Sequence, residues 1–512
     1  MLVEEAAVRV LALILMLGAV LRFSLLSSVP TELDFDEIDL YNSVHSIVTT
    51  GHDVDGSLKP FLYAKATRNP PIYGIAAYAS SLVFGKTPFG LRFPAALFGL
   101  ISILLIYAIA RELTMREGIA QLAALTMAIA PIFVHFSRTA WEPSSELPFL
   151  LGGIYLLLLA VRQPKPPRLT WAALLLGLTA YTYMAGWFYA LALGAPLVLI
   201  YALRHHARWP ALRTAAVWLI VALPALWMFF FDDQAANRLA QISTFHDTPL
   251  LVALRTFAAN YFVHFRWSYL ATTGDPQPGI TWRYLNGFGA FYWWIVPLAA
   301  LGVFAVLRYV RDRALAWWVL LWLLVYPLGG ALTNEGAPNA PRTLAGAPVF
   351  CLLAAMGFAL LLDWVRSLRK RPRLRRELRI ALNTALFLAA TISVAQFANF
   401  YFGDYVHTNS NAWDSGTSAM FAKIVALSPG YERVCFAVNT AWYNPESYAR
   451  YYLEGVKIEP IYDLTDPQCR QRGTLFAYDP HEKRIPRHDG FVPLATIDDV
   501  DGNTFALIIG KT

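Results

Sequence analysis

About eleven stretches of some twenty residues, nearly free of charge, recur along this chain of 512 residues. A helix of that length spans the hydrocarbon layer of a bilayer. Inside hydrocarbon the backbone has no water to bond, so a spanning segment must satisfy its own N–H and C=O groups, as a helix does. The spacing predicts spans near residues 8–26, 93–110, 118–136, 147–161, 169–184, 185–203, 214–231, 288–307, 314–332, 343–362 and 380–402. Composition agrees: 57% of residues are hydrophobic and 15% charged, too little charge for a water-soluble surface of this size. Arg9 is followed by an apolar run with no clean cleavage site, which reads as a retained first helix.

Charge sets the expected orientation. Five short loops, at 111–117, 162–168, 204–213, 308–313 and 366–379, hold 19 Lys and Arg in 44 residues, whereas the opposite loops hold 11 in 142. Short basic loops stay in the cytoplasm. The chain is thus expected in the plasma membrane, with its N-terminus cytoplasmic and its C-terminus outside. The run from Arg366 to Arg379 fixes topology and touches anionic headgroups, and no nucleic-acid partner is expected.

Two external loops are long, 27–92 and 232–287. Long loops in a compact domain usually carry function. Both are rich in aromatic residues and Pro, which suggests helices lying on the membrane surface. The chain changes character near residue 403. Residues 1–403 read as the transmembrane domain and 404–512 as an extracytoplasmic α/β domain, with strands near 433–438, 457–462, 474–478 and 504–509 and a helix at 445–453. Cys435 and Cys469 lie in that polar region, where a disulfide and two separate thiols are both open. Cys351, in an apolar run, reads as a small core residue.

The chemistry concentrates just outside the first span. Asp34, Asp36, Glu37 and Asp39 place four carboxylates in six positions. On position alone, a solvated acidic loop explains them. Several ordered stretches say more. Asp36-Glu37 is followed by Tyr41 and Gly51. Asn69-Pro70-Pro71-Ile72-Tyr73 comes next, then the segment from Gly85 through Arg92 to Pro94. Ala130-Pro131 leads to Ser137-Arg138, and Arg342 precedes Pro348. This order resembles the integral-membrane glycosyltransferases of the C-type fold, in the branch of the protein O-mannosyltransferases and lipid A aminoarabinose transferases. The likeness covers roughly residues 21–357, and its motifs are individually weak.

The resemblance implies a glycosyltransferase that moves a monosaccharide from a polyprenyl-phosphate donor to an acceptor hydroxyl at the outer face, with inversion. The acceptor, whether protein, lipid or glycan, is left open. Asp36 becomes the base for that hydroxyl, with Glu37 orienting Asp36 or binding the acceptor. Donor phosphate falls to cations. Where the family has Lys before Pro-Pro, this chain has Asn69 preceded by Arg68, and Arg266 and Arg342 are further candidates. Tyr41, Tyr73 and Arg138 are implied at the acceptor or sugar. No cofactor is implied; the alternative is a divalent ion on Asp36, Glu37 and Asp232 or Asp233. The competing class is a secondary transporter or lipid flippase. Transporters carry repeats and polar residues at mid-membrane depth; here the carboxylates gather at the outer surface instead.

Overall fold

The computed structural model describes residues 2–56, 70–275, 285, 287–437, 445–463, 466–479 and 490–511. It begins with α1 (Leu2–Phe23), then two further helices, α2 (Phe35–Thr50) and α3 (Ile72–Phe84). The bundle continues with α4 (Pro88–Thr114), α5 (Glu117–Ile129) and the short α6 (Pro131–Phe136). A 3-10 turn (Glu142–Ser145) then feeds α7 (Glu146–Arg162). Next come α8 (Pro166–Leu178), α9 (Gly186–His205), α10 (Arg208–Phe231), α11 (Asp233–Ile242) and α12 (Leu250–Val263). The chain returns through α13 (Ile295–Tyr309), α14 (Arg313–Val325), the short α15 (Leu328–Ala331) and α16 (Ala340–Thr343), then α17 (Pro348–Ser367) and α18 (Pro372–Asn399).

Each expected span overlaps one of these helices. Among the described residues, eight helical runs are long and apolar enough to cross a bilayer. The other three expected spans fall on the shorter α5, α8 and α13. The protein is a multi-pass helical membrane protein. Helices α13 and α17 pack most closely, because each offers a glycine at the crossing. A Cβ on Gly302 would strike the carbonyl of Leu353, and one on Gly357 that of Leu298. Small residues let helix backbones approach where lipid supplies no hydrophobic drive.

After α18 and the short α19 (Tyr405–Thr408) lie α20 (Thr417–Leu427), β1 (Arg433–Ala437), α21 (Pro445–Tyr452), β2 (Glu459–Ile461), β3 (Thr474–Tyr478), β4 (Val492–Asp498) and β5 (Thr504–Lys511). The sheet order is β2-β1-β3-β5-β4, with β1 parallel to β2 and β3, and β5 antiparallel to β3 and β4. Side chains alternate across it. Val434, Phe436, Leu475 and Ala477 join one hydrophobic cluster with Met420 and Phe421 of α20 and with Ile38, Leu40 and Tyr41 of α2. Cys435 points to the other face and forms a disulfide with Cys469, beside Phe476. Of the two readings left open for these thiols, the bonded one holds.

The expectation that the 27–92 loop lies on the membrane as surface helices needs correction for α2. Its residues Asp36 through Val44 are all buried, because α3 and α21 cover it. On α12, by contrast, Leu250, Leu251, Leu254 and Phe262 stay exposed, as on a helix facing lipid.

Candidate active site at one end of the bundle

The first turn of α2 is built before it can be used. Asp34 caps the helix, accepting from the N–H of Asp36 at 2.8 Å, and Glu37 reaches back to the N–H of Asp34 at 3.0 Å. This reciprocal arrangement satisfies two orphan helix donors. Glu37 does more. Arg92 on α4 donates to it through Nε at 2.9 Å and Nη2 at 2.8 Å, and the N–H of Ala140 donates at 2.5 Å. An ionised carboxylate has about four acceptor sites, and all are taken. Glu37 is therefore a fastener between α2, α4 and the α6–α7 connection.

Arg92 is fully buried. Besides Glu37 it bonds the carbonyls of Pro30, at 2.8 Å, and of Glu32, and lies 5.5 Å from the Trp413 ring. One guanidinium thus ties the loop between α1 and α2, the start of α2 and the approach to α20 together.

Beside this fastener lies a small cavity lined by Asp34, Asp36, Glu37, His135, Thr139, Trp141 and Trp413. Its free space is about 10 Å³, room for about one water. Asp36 is 4% exposed and sits in the first helical turn, where the positive end of the helix favours a carboxylate. The Thr139 hydroxyl is buried with no partner among the described residues, and His135 Nδ1 lies 3.1 Å from the Tyr401 hydroxyl.

Trp141 links this cavity to a second polar cluster. Its ring centroid is 6.4 Å from that of Tyr183, an electrostatic neighbour of Arg342. Arg342 on α16 also pairs with Glu335, which in turn pairs with Arg238. Nη1 of Arg342 is buried and unpartnered among the described residues.

The other sequence candidates are dispersed. Arg138 donates to the carbonyls of Leu21, Arg22 and Val29, each at 2.9 Å, and so clamps α1 to the end of α6. The Tyr73 hydroxyl donates to Leu91 at 2.9 Å within the core. Tyr41 packs edge-on to Tyr451, with centroids 5.5 Å apart, under the C-terminal segment. Arg266 is exposed beyond α12. Arg68 and Asn69 lie outside the described residues. Asp232 caps α11 by accepting from Ala235. Among the described residues, no group of three or more His, Cys, Asp or Glu is arranged to hold a metal. Trp141, Tyr183, His135 and Thr139 were not singled out from sequence. The only signal for the first is its place three residues after Arg138, within a turn rather than a periodic element.

The C-terminal segment is fastened over α2. Asp39 accepts from Ser447, Asn42 donates to the Ser447 carbonyl at 2.9 Å, and Lys86 bonds Glu454 at 2.6 Å. Ser418 donates to Glu32 at 2.7 Å. Burial pushes the Asp39 carboxyl up to about 7, against the pull of Ser447 and Arg450 and with the push of Glu142 and Glu446; burial likewise pushes Asp414, bonded to Tyr448, up to about 7. A carboxyl that keeps its proton to a higher pH when folded stabilises the fold at low pH. That contribution is complete below about pH 4 and is lost as pH rises through about 7. Asp39→Asn and Asp414→Asn should therefore each flatten the fall in melting temperature between pH 4 and 8 relative to wild type. Each removes a pH-dependent term of at most about 4 kcal/mol. Parallel pH–melting curves for variant and wild type would show that these carboxyls do not titrate in this way.

Residues 68–230 match the family model described as dolichyl-phosphate-mannose-protein mannosyltransferase. The Bacillus subtilis protein YycA, named as a mannosyltransferase, is 38% identical over 109 residues, 21% of this chain. The chain spans 16% of that protein's length. In three dimensions the chain superposes on ArnT from Cupriavidus metallidurans bound to undecaprenyl phosphate. The TM-score is 0.58 at 13% identity, over 99% of this chain and 97% of that one. It also superposes on the Archaeoglobus fulgidus oligosaccharyltransferase in its apo form, with TM-score 0.51 and 14% identity, over 91% of this chain and 66% of that one. The fold is thus that of the C-type integral-membrane glycosyltransferases, as the ordered motifs implied.

Proposed function

From that fold, we propose that the chain moves a monosaccharide from a polyprenyl phosphate to an acceptor hydroxyl at the outer membrane face, in one displacement with inversion. The observation that carries the reading is Asp36, held in a small cavity at a helix N-terminus and linked through Trp141 and Tyr183 to the half-buried Arg342, whose Nη1 is buried. Asp36 takes the proton of the acceptor hydroxyl as its oxygen bonds to the anomeric carbon. The bond from that carbon to the phosphate oxygen breaks, and the lipid phosphate leaves with the electron pair. Charge grows on the departing oxygen, and a cation placed for it stabilises the transition state. Arg342 fills that role, with Arg266, Arg68 and Asn69 as further phosphate-side candidates. The wall formed by Trp141 and Trp413 must swing aside for an acceptor larger than a water.

Two facts support the proposed sidedness. The Cys435–Cys469 disulfide belongs to an oxidising compartment, and the basic loops lie at the bundle end opposite this site. The test is direct. Purified protein is incubated with a panel of radiolabelled polyprenyl-phosphate sugars and candidate protein, lipid and glycan acceptors. Acceptor-dependent release of lipid phosphate from at least one donor is expected. Failure to release it from any donor with any acceptor class would overturn the assignment.

A further inference from the structure

Glu146 opens α7 at the candidate site's end of the bundle and is fully buried. Neither of its carboxylate oxygens has a hydrogen-bond partner among the described residues. The contrast with Glu37, whose acceptor sites are all filled, is sharp. A carboxylate buried without partners costs stability whether it stays charged or takes up a proton. An apolar side chain of the same length would serve the fold better.

Its surroundings say what could fill it. Glu146 and Arg342 are both charge neighbours of Tyr183. The Tyr189 hydroxyl, also near Glu146, is already committed: it donates to the Tyr326 carbonyl at 2.8 Å and accepts from the N–H of Gly329 at 3.3 Å. Near Tyr183 there are thus two groups without partners among the described residues, the Glu146 carboxyl, whose oxygens can accept from hydroxyls, and the donor-only Nη1 of Arg342. A ligand that satisfies both presents hydroxyl donors at one end and anionic oxygens at the other. A sugar carried on a phosphate has that shape.

We infer that Glu146 binds the hydroxyl groups of the donor's sugar ring while Arg342 holds its phosphate, so that Glu146 sets which sugar is accepted. This rests on the donor chemistry proposed above. Glu146→Met and Glu146→Gln are made in the full-length protein. Melting is followed with a short-chain isoprenoid phosphate, either bare or carrying one of several hexoses or pentoses. In wild type, at least one sugar-bearing lipid should raise the melting temperature more than the bare phosphate does. Glu146→Met should abolish that extra rise and weaken sugar-lipid binding by about 10-fold, Glu146→Gln less, because the hydrogen bonds to the carboxyl group are lost. The bare phosphate should still stabilise both variants equally well, and the unliganded Met variant should melt at or above wild type. A sugar-dependent rise that survives in Glu146→Met overturns the inference and leaves the donor assignment standing. So does a marked fall in the unliganded melting temperature, which would make Glu146 structural. If neither lipid stabilises wild type, the donor assignment fails and takes this inference with it.

Discussion

Replacing Asp36 by Asn is expected to cut sugar transfer by about 10²–10⁴-fold while leaving expression, membrane insertion and melting temperature close to wild type. The substitution keeps the shape of the side chain and the first turn of α2. The Asp34 cap, the Glu37–Arg92 pair and the Ala140 bond all lie on other groups. What it removes is the carboxylate that can take a proton from an alcohol. A one-unit change in side-chain charge inside a small cavity walled by Trp141 and Trp413 acts where water cannot substitute for it. Turnover of the purified variant, measured as release of lipid phosphate from the best donor of the panel, decides the matter. Wild-type turnover in Asp36→Asn would remove Asp36 from the mechanism.

The acidic pair was legible from sequence, but the division of labour within it was not. Asp36 and Glu37 are neighbours of the same chemistry, and local sequence gives no reason to separate them. The separation comes from Arg92, far along the chain, which claims Glu37 for the fold. Long-range pairing of this kind leaves no periodic trace. The same limit hid the roles of Arg138 and Tyr73, which bond backbone carbonyls of α1, its following loop and α4. Glu146 passed unnoticed for the opposite reason. A Glu at a helix start reads as an ordinary partner of the helix dipole, and only its complete burial marks it as unusual.

The spans were easier, because apolar length is a local property. Where they fell short, the chain gives the reason. Helix α5 stops at Ala130 ahead of Pro131, α8 gives way to a 3-10 turn at Thr179–Tyr181, and α13 starts only after the 288–294 segment. In the C-terminal sheet, β4 escaped notice because Pro493 lies within it and most of its side chains are at least partly exposed. It is an edge strand paired only with β5, with register shifts, and edge strands tolerate proline. A spacing of 34 residues could not say whether Cys435 and Cys469 meet. The turn at Pro467–Arg470, which leads into β3 beside β1, brings them together.

Arg92→Met should be the most destabilising single change at this site, by about 3–5 kcal/mol. It strips two charge-assisted bonds from Glu37 and leaves that carboxylate buried with only two backbone donors. It also orphans the carbonyls of Pro30 and Glu32. Arg92→Lys keeps the charge but loses the planar fork that meets Glu37 through two nitrogens, so an intermediate loss is expected. Glu37→Met combined with Arg92→Met should cost less than the two single changes added together, because neither charge is then left alone. Melting of the four proteins in detergent supplies the cycle; additive losses would mean the two side chains do not act as a pair. Activity should follow stability here, since the same bonds fix the turn that carries Asp36. A partly active, less stable Arg92→Lys beside an inactive, stable Asp36→Asn would separate positioning from proton transfer. An Arg92→Met protein that melts like wild type would show that the buried pair does not hold α2 in place.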